Sequence, residues 1–225
     1  MLTELLRRRC IAVFLGLEGM LYCLFLWLDR MNYAQAAPVV KYLSIVLCAV
    51  AALLSAAFGG DRLVALGLCL TLVADLTLLF FLNHSLFGVM VFYAVQVVYL
   101  IRMSQAKQGR AWLSMRVALF VLLLLFLNEF HLLDELTGAA ALYISFFFVN
   151  LLQGVTLSGK EGQLFFWGLL LFFCCDLCVG LFNFPLSLPG WLHTFAEWGM
   201  WIFYLPGQVL IVLSGQYPLT VEVIR

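Results

Sequence analysis

Charge is what this chain has least of. Asp, Glu, Lys and Arg make up 11% of its residues, twelve basic against twelve acidic, for a formal net charge of zero. A soluble domain carries about 25% charged residues and a nucleic-acid partner calls for a basic face, so both readings are excluded. Proline is scarce too: of five, only Pro206, within Tyr204-Leu-Pro-Gly-Gln208, interrupts an apolar stretch. The seven cysteines (Cys10, Cys23, Cys48, Cys69, Cys174, Cys175 and Cys178) are odd in number and lie in or beside apolar stretches, which argues against a disulfide framework. Cys175-Asp-Leu-Cys178 has the CxxC spacing but no second Cys or His pair nearby to complete a metal site. His84, His131 and His193 fall at predicted span ends and read as solvated loop residues. Loops are about ten residues or shorter, which leaves no room for a soluble domain.

What the chain has instead is apolar length. Hydrophobic residues are 65% of the total and the mean hydropathy is +1.09, the signature of a polytopic membrane protein. The apolar stretches read as eight spans near the ~20 residues that cross a bilayer: Ile11–Leu28, Val39–Phe58, Leu63–Leu82, Leu86–Met103, Trp112–Leu127, Thr137–Leu157, Gln163–Leu181 and His193–Ser214. The expected fold is an all-α bundle of about eight transmembrane helices forming a single integral-membrane domain over residues 1–225. The start, RRRCIAVFLGLEGMLYCLFLWL, resembles a signal peptide with Ala34-Gln35-Ala36 as a cleavage site. Its apolar run exceeds an h-region and Glu18 interrupts it, so it is read as a retained first span.

Lys and Arg near span ends set orientation. With eight spans, one side receives Arg7, Arg8, Arg9, Arg62, Arg102, Lys107, Arg110, Arg116, Lys160 and Arg225, and the other only Arg30 and Lys41. This asymmetry predicts that both termini are cytoplasmic and that the loops Asn128–Glu135 and Asn183–Trp191 are outside.

Two aspartates then stand out, Asp75 in the third span and Asp176 in the seventh. A carboxylate in hydrocarbon costs several kcal/mol unless it faces a protein interior, water or a partner, so each is a functional-site candidate. Residues three and four apart share a helix face, and the polar residues follow that spacing: Lys41, Ser44, Cys48, Ala52 and Ser55; Gly88, Phe92, Gln96 and Tyr99; Gly168, Phe172, Asp176, Gly180 and Asn183; Glu197, Trp201, Tyr204 and Gln208. The fifth span has no such stripe and reads as peripheral. At ~1.5 Å per residue, Asp75 and Asp176 lie about 10 and 8 Å from the outer ends of their spans. Lys41 and Glu197 fall at similar depth, Gln96, Tyr99, Tyr204 and Gln208 extend toward the midplane, and Glu18 is placed at the floor. These residues predict one pocket.

Lys41-Tyr-Leu, Ala74-Asp75-Leu-Thr-Leu-Leu, Gly88-xxx-Phe92-xxxxxx-Tyr99, Gly168-xxx-Phe172-xxx-Asp176 with Asn183, and Tyr204-xxx-Gln208-xx-Ile211, in this order from Lys41 to Ile211, resemble the YhhN-like lysoplasmalogenase family. The chain departs from that pattern in having Lys41-Tyr42 for Lys-Pro, Ala74-Asp75 for Gly-Asp, Gln96 for His and Cys175-Asp176 for Ser-Asp. The resemblance implies a membrane hydrolase, in a bacterial plasma membrane, that cleaves the vinyl ether bond of a lysoplasmalogen or related lysolipid ether. It implies no cofactor and no metal, and as partners only the lipid substrate and membrane lipids. Such chemistry needs one protonated carboxyl and one ionised carboxylate, roles that suit Asp75 and Asp176. Lys41 is then a candidate phosphate ligand or the ion-pair partner of one aspartate. Gln96, Tyr99, Asn183, Tyr204 and Gln208 are candidate substrate contacts. An alternative from another class is a transporter or binding protein for a small molecule, ion or lipid, using the same acids.

Overall fold

In hydrocarbon every backbone polar group must be satisfied within the protein, which favours helices. The computed structural model describes residues 2–31, 33, 35–81, 85–106, 110–183, 189–217 and 219. It contains eight helices: α1 Leu2–Arg30, α2 Ala36–Ala57, α3 Arg62–Phe80, α4 Ser85–Ala106, α5 Arg110–Glu129, α6 Glu135–Gly154, α7 Gly159–Phe182 and α8 Gly190–Ser214. No strand occurs among the described residues. Each helix is long and apolar enough to cross a membrane, so the protein is an all-α integral membrane protein. His84, Lys107, Arg225 and the middle of the loop Asn183–Trp191 lie outside the described residues.

Boundaries shift where a cap decides them. α6 begins at Glu135 because Asp134 is its N-cap: the Asp134 carboxylate accepts from the Thr137 amide at 2.7 Å, and the Thr137 hydroxyl accepts from the Asp134 amide at 2.8 Å. This reciprocal pairing satisfies two donors, so Thr137, expected as the first residue of the span, is already a turn inside it. Between α2 and α3 the chain turns at Gly59, with φ +88°, a conformation open to glycine.

The contacts arrange α2, α3, α4, α6, α7 and α8 as a ring, with α8 touching α2 and α3 as well as α7. α1 packs outside on α2 and α8, and α5 packs outside on α6 alone. Only 6% of the α5 span is buried, in keeping with its plain Leu, Val and Phe surface. α7 and α8 approach most closely at two glycines: a Cβ on Gly168 would stand 3.0 Å from the Gly207 carbonyl, and one on Gly207 3.1 Å from that of Gly168. Small residues allow this backbone contact between membrane helices. The start of α1 and the end of α8 lie on one face, hereafter the terminal face, because the Arg7 guanidinium donates to the Gln216 carbonyl.

The terminal face is tied together by a buried arginine. Arg102 Nε donates to Asp61 Oδ2 at 2.7 Å, while its terminal nitrogens donate to the Ser214 hydroxyl and carbonyl at 3.0 and 2.7 Å. The guanidinium lies 4.3 Å from the Phe165 ring centroid. Asp61 also caps α3, accepting from the Leu63 amide at 2.9 Å, and its own amide donates to the Gly215 carbonyl at 2.9 Å. Arg102 and Arg116, counted above with the loop charges, both point inward instead, each 1% exposed.

Candidate active site

Asp75 comes from α3 and Asp176 from α7, two helices whose backbones stand apart. Their surroundings nevertheless share one set of rings, since Phe172 packs on Tyr204 and on Phe92, which reaches Tyr143. Asp75 is 6% exposed and Asp176 is half-buried. Each is held by a tyrosine from a third helix. The Tyr204 hydroxyl on α8 donates to Asp75 Oδ2 at 2.5 Å, and the Tyr143 hydroxyl on α6 donates to Asp176 Oδ2. Four helices thus supply two carboxyl–phenol pairs, and Cys175 is the third polar group within electrostatic reach of both acids.

Aromatic rings wall this space. Phe172 of α7 packs edge-on against Tyr204, Phe92 and Phe147, with centroids 5.3, 5.7 and 4.9 Å away, and Phe92 reaches Tyr143 at 6.0 Å. Trp201 lies 5.8 Å from Tyr204 on the side toward Lys41. Such rings exclude water and strengthen the electrostatic interactions they enclose.

The other expected site residues divide into those near this centre and those in separate clusters. Lys41 is buried 4.5 Å over the Trp201 ring, and its ion pair is with Asp29 of α1 at 2.8 Å, not with either site aspartate. The pairing follows from the hairpin, since Asp29 ends α1 and Lys41 begins α2. Glu197 is exposed, within electrostatic reach of Lys41. Gln208 is fully buried one turn from Tyr204 on α8, and among the described residues neither of its amide atoms has a hydrogen-bond partner. Thr71, one turn from Asp75 on α3, is equally buried.

Gln96 belongs to a different network. Its backbone carbonyl and its side-chain oxygen accept from Asn150 Nδ2 at 2.8 and 3.0 Å, and Asn150 and Gln153 accept from Arg116 at 2.6 and 3.0 Å. Tyr99 sits nearer the terminal face, edge-on to Phe165 at 5.2 Å and against Gly67, where any Cβ would strike its ring at 2.4 Å. Asn183 is the exposed C-cap of α7, its amide donating to the Val179 carbonyl at 2.8 Å. Glu18, placed at the pocket floor by its depth, instead accepts from the Ser44 hydroxyl and, at 3.3 Å, from the Cys48 thiol, joining α1 to α2.

The sequence profile of the YhhN family matches residues 36–215, most of the chain. The chain belongs to the YhhN family. Searches of curated proteins and of solved structures find no match. In this YhhN-family protein the matched region runs from the start of α2 to just past α8 and contains the whole helix ring, both aspartates and both tyrosines. α1, with Glu18 and Asp29, precedes it. Among the described residues no three His, Cys, Asp or Glu side chains converge in a metal-binding group.

Tyr143 was absent from the expected site. The signal lay in α6, where Tyr143, Phe147, Asn150 and Gly154 run at spacings 4, 3 and 4, the helical-face pattern that marked the other interior stripes.

Proposed function

We propose that this protein is an intramembrane hydrolase that cleaves the vinyl ether bond of a lysoplasmalogen or a related lysolipid ether, with Asp75 and Asp176 as its acid and base. The observation that carries the reading is the pair of carboxyl groups, drawn from helices whose backbones stand apart, each held by a phenol inside an aromatic enclosure. Membership of the YhhN family supports it.

The chemistry proceeds as follows on this reading. One carboxylic acid donates its proton to the β-carbon of the vinyl ether, the C=C electron pair forming the new C–H bond and leaving an oxocarbenium ion. The second, ionised carboxylate stabilises that cation and takes a proton from water as the water oxygen adds to it. The resulting hemiacetal collapses, its C–O bond to the glycerol breaking with proton transfer to that oxygen, to give a fatty aldehyde and the glycerophospho head group. Tyr204 and Tyr143 hold the two carboxyls in place, and the rings of Phe92 and Phe172 suit the apolar vinyl segment. The protein would act in a bacterial plasma membrane with both termini in the cytoplasm.

The test is aldehyde release from a lysoplasmalogen by purified protein in detergent, without any ion gradient. Asp75→Asn and Asp176→Asn keep nearly the same volume but remove the transferable proton or the negative charge. General acid–base contributions are ~10²–10⁴-fold, so each variant is expected to lose at least about a hundredfold in turnover while unfolding at a near-normal temperature. Near-normal turnover in both variants would leave the aspartates structural, and absence of any release by the unsubstituted protein would favour a binding or transport role.

A further inference from the structure

α1 is fastened to the ring at two levels and stands off between them. Toward its end, Asp29 pairs with Lys41 and Glu18 accepts from Ser44 and Cys48. At its start, Arg7 donates to the Gln216 carbonyl and stacks 4.1 Å from the Tyr217 ring centroid. Between Arg7 and Leu17 a cavity of about 750 Å³ opens between α1, α2 and α8. Its walls are apolar, with Phe14 on α1, Leu47 and Ala51 on α2 and Val212 on α8, and among the described residues the charged groups lining it are Arg7 and Arg9, both on the terminal face.

The shape and chemistry select the occupant. The volume lies within the ~300–1,000 Å³ of small-molecule sites. Stable water needs two to four polar partners per molecule, and the polar lining groups Arg7, Arg9, Ser55 and Gln216 gather at the terminal-face end, leaving the rest of the wall apolar. An amphiphile with an apolar chain and a negative head meets both halves of the cavity, since basic pockets between membrane helices attract anionic lipid head groups.

We propose that this cavity binds an anionic phospholipid from the leaflet on the terminal face, one acyl chain lying between α1 and α2 and the phosphate held by Arg9 with Arg7 beside it. The bound chain fills the gap between the two fastenings of α1. The site is separate from the aspartates, which lie in the opposite half of the bundle, and does not rest on the hydrolase reading.

Native mass spectrometry of the detergent-purified protein, titrated with phosphatidylglycerol or with phosphatidylcholine of the same chains, tests it. Each basic side chain near a lipid surface contributes about fivefold to anionic-lipid affinity, so phosphatidylglycerol is expected to bind roughly tenfold or more tightly than phosphatidylcholine. Arg9→Gln, at a residue outside the tie to Gln216 and Tyr217, is expected to lower that preference about fivefold. Val13→Trp, at a cavity-lining position 62% exposed in the present fold, is expected to weaken both lipids by filling the chain space. Asp75→Asn is expected to bind as the unsubstituted protein does, whatever its turnover. Equal affinity for the two lipids, a preference unchanged by Arg9→Gln, or affinities unchanged by Val13→Trp would overturn the assignment.

Discussion

At the residue scale the site rests on two phenols. A hydrogen bond to a charged group contributes about 1.5–3 kcal/mol, and Tyr204 and Tyr143 each direct one at a site carboxyl. Tyr204→Phe and Tyr143→Phe keep the ring packing on Phe172 and Phe92 and remove only the hydroxyl. Each is therefore expected to lower turnover in the aldehyde assay by about tenfold to a hundredfold, with little change in substrate affinity, and unaltered kcat in both would detach the phenols from the chemistry. The aspartates were legible in the sequence because a charge in an apolar run has few innocent explanations. Tyr143 was not, because tyrosine is at home on many buried faces. Lys41 was legible as buried but not its partner, since face patterns describe single helices whereas Asp29 meets it across a hairpin. Gln96 and Tyr99 shared the right face and moderate depth, yet neighbouring helices drew them into other networks.

At the scale of elements, the Arg102 clamp joins α4 to the start of α3 and the end of α8. Removing one member of a buried ion pair costs about 3–5 kcal/mol, because the other charge is left uncompensated. Arg102→Met is expected to destabilise the fold by that order, read as a lowered unfolding temperature in detergent. Arg102→Lys is expected to recover only part of the loss, lacking the fork that reaches Asp61 and Ser214 together. A second prediction concerns the start of α6, outside the apolar span. The Thr137 amide, followed by its hydroxyl, holds the Asp134 carboxyl below the usual carboxylate range. A group whose folded value is depressed stabilises fully above its unfolded value and loses that contribution as pH falls through the folded one. Hydrogen-exchange protection at the first turn of α6 is therefore expected to decline on acidification below the ordinary Asp range, and Asp134→Ala to show low protection at every pH. Helix existence was read from apolar length alone, but the ends needed these caps, and the sequence signal of Asp134 followed by Thr137 is weaker than a Ser–Glu capping box.

At the scale of the whole molecule, the arrangement of helices was the least legible part. Apolar length counts spans without ordering them, and the peripheral place of α5 was visible only because its stripe was missing. Sidedness can be measured directly. Among the described Lys and Arg residues, Arg30 and Lys41 fall on the face opposite the start of α1 and the end of α8, and positive charge is retained in the cytoplasm. Leu132→Cys, in the turn between α5 and α6, is expected to react with an impermeant thiol reagent in intact cells. Labelling confined to lysed cells would reverse the orientation.

The ring closes through α8, the last of its helices in chain order. Until it arrives, Asp75 lacks Tyr204, Arg102 lacks both atoms of Ser214, and Ser55 lacks the Gly215 carbonyl it binds at 3.2 Å. A nascent chain of seven helices therefore holds unmatched polar groups in the bilayer, each costing on the order of several kcal/mol. Insertion of α8 and quenching of these groups are the same event. A chain stopped before α8 would remain exposed to membrane quality control, and the carboxyl pair would acquire its finished surroundings only when α8 had been inserted.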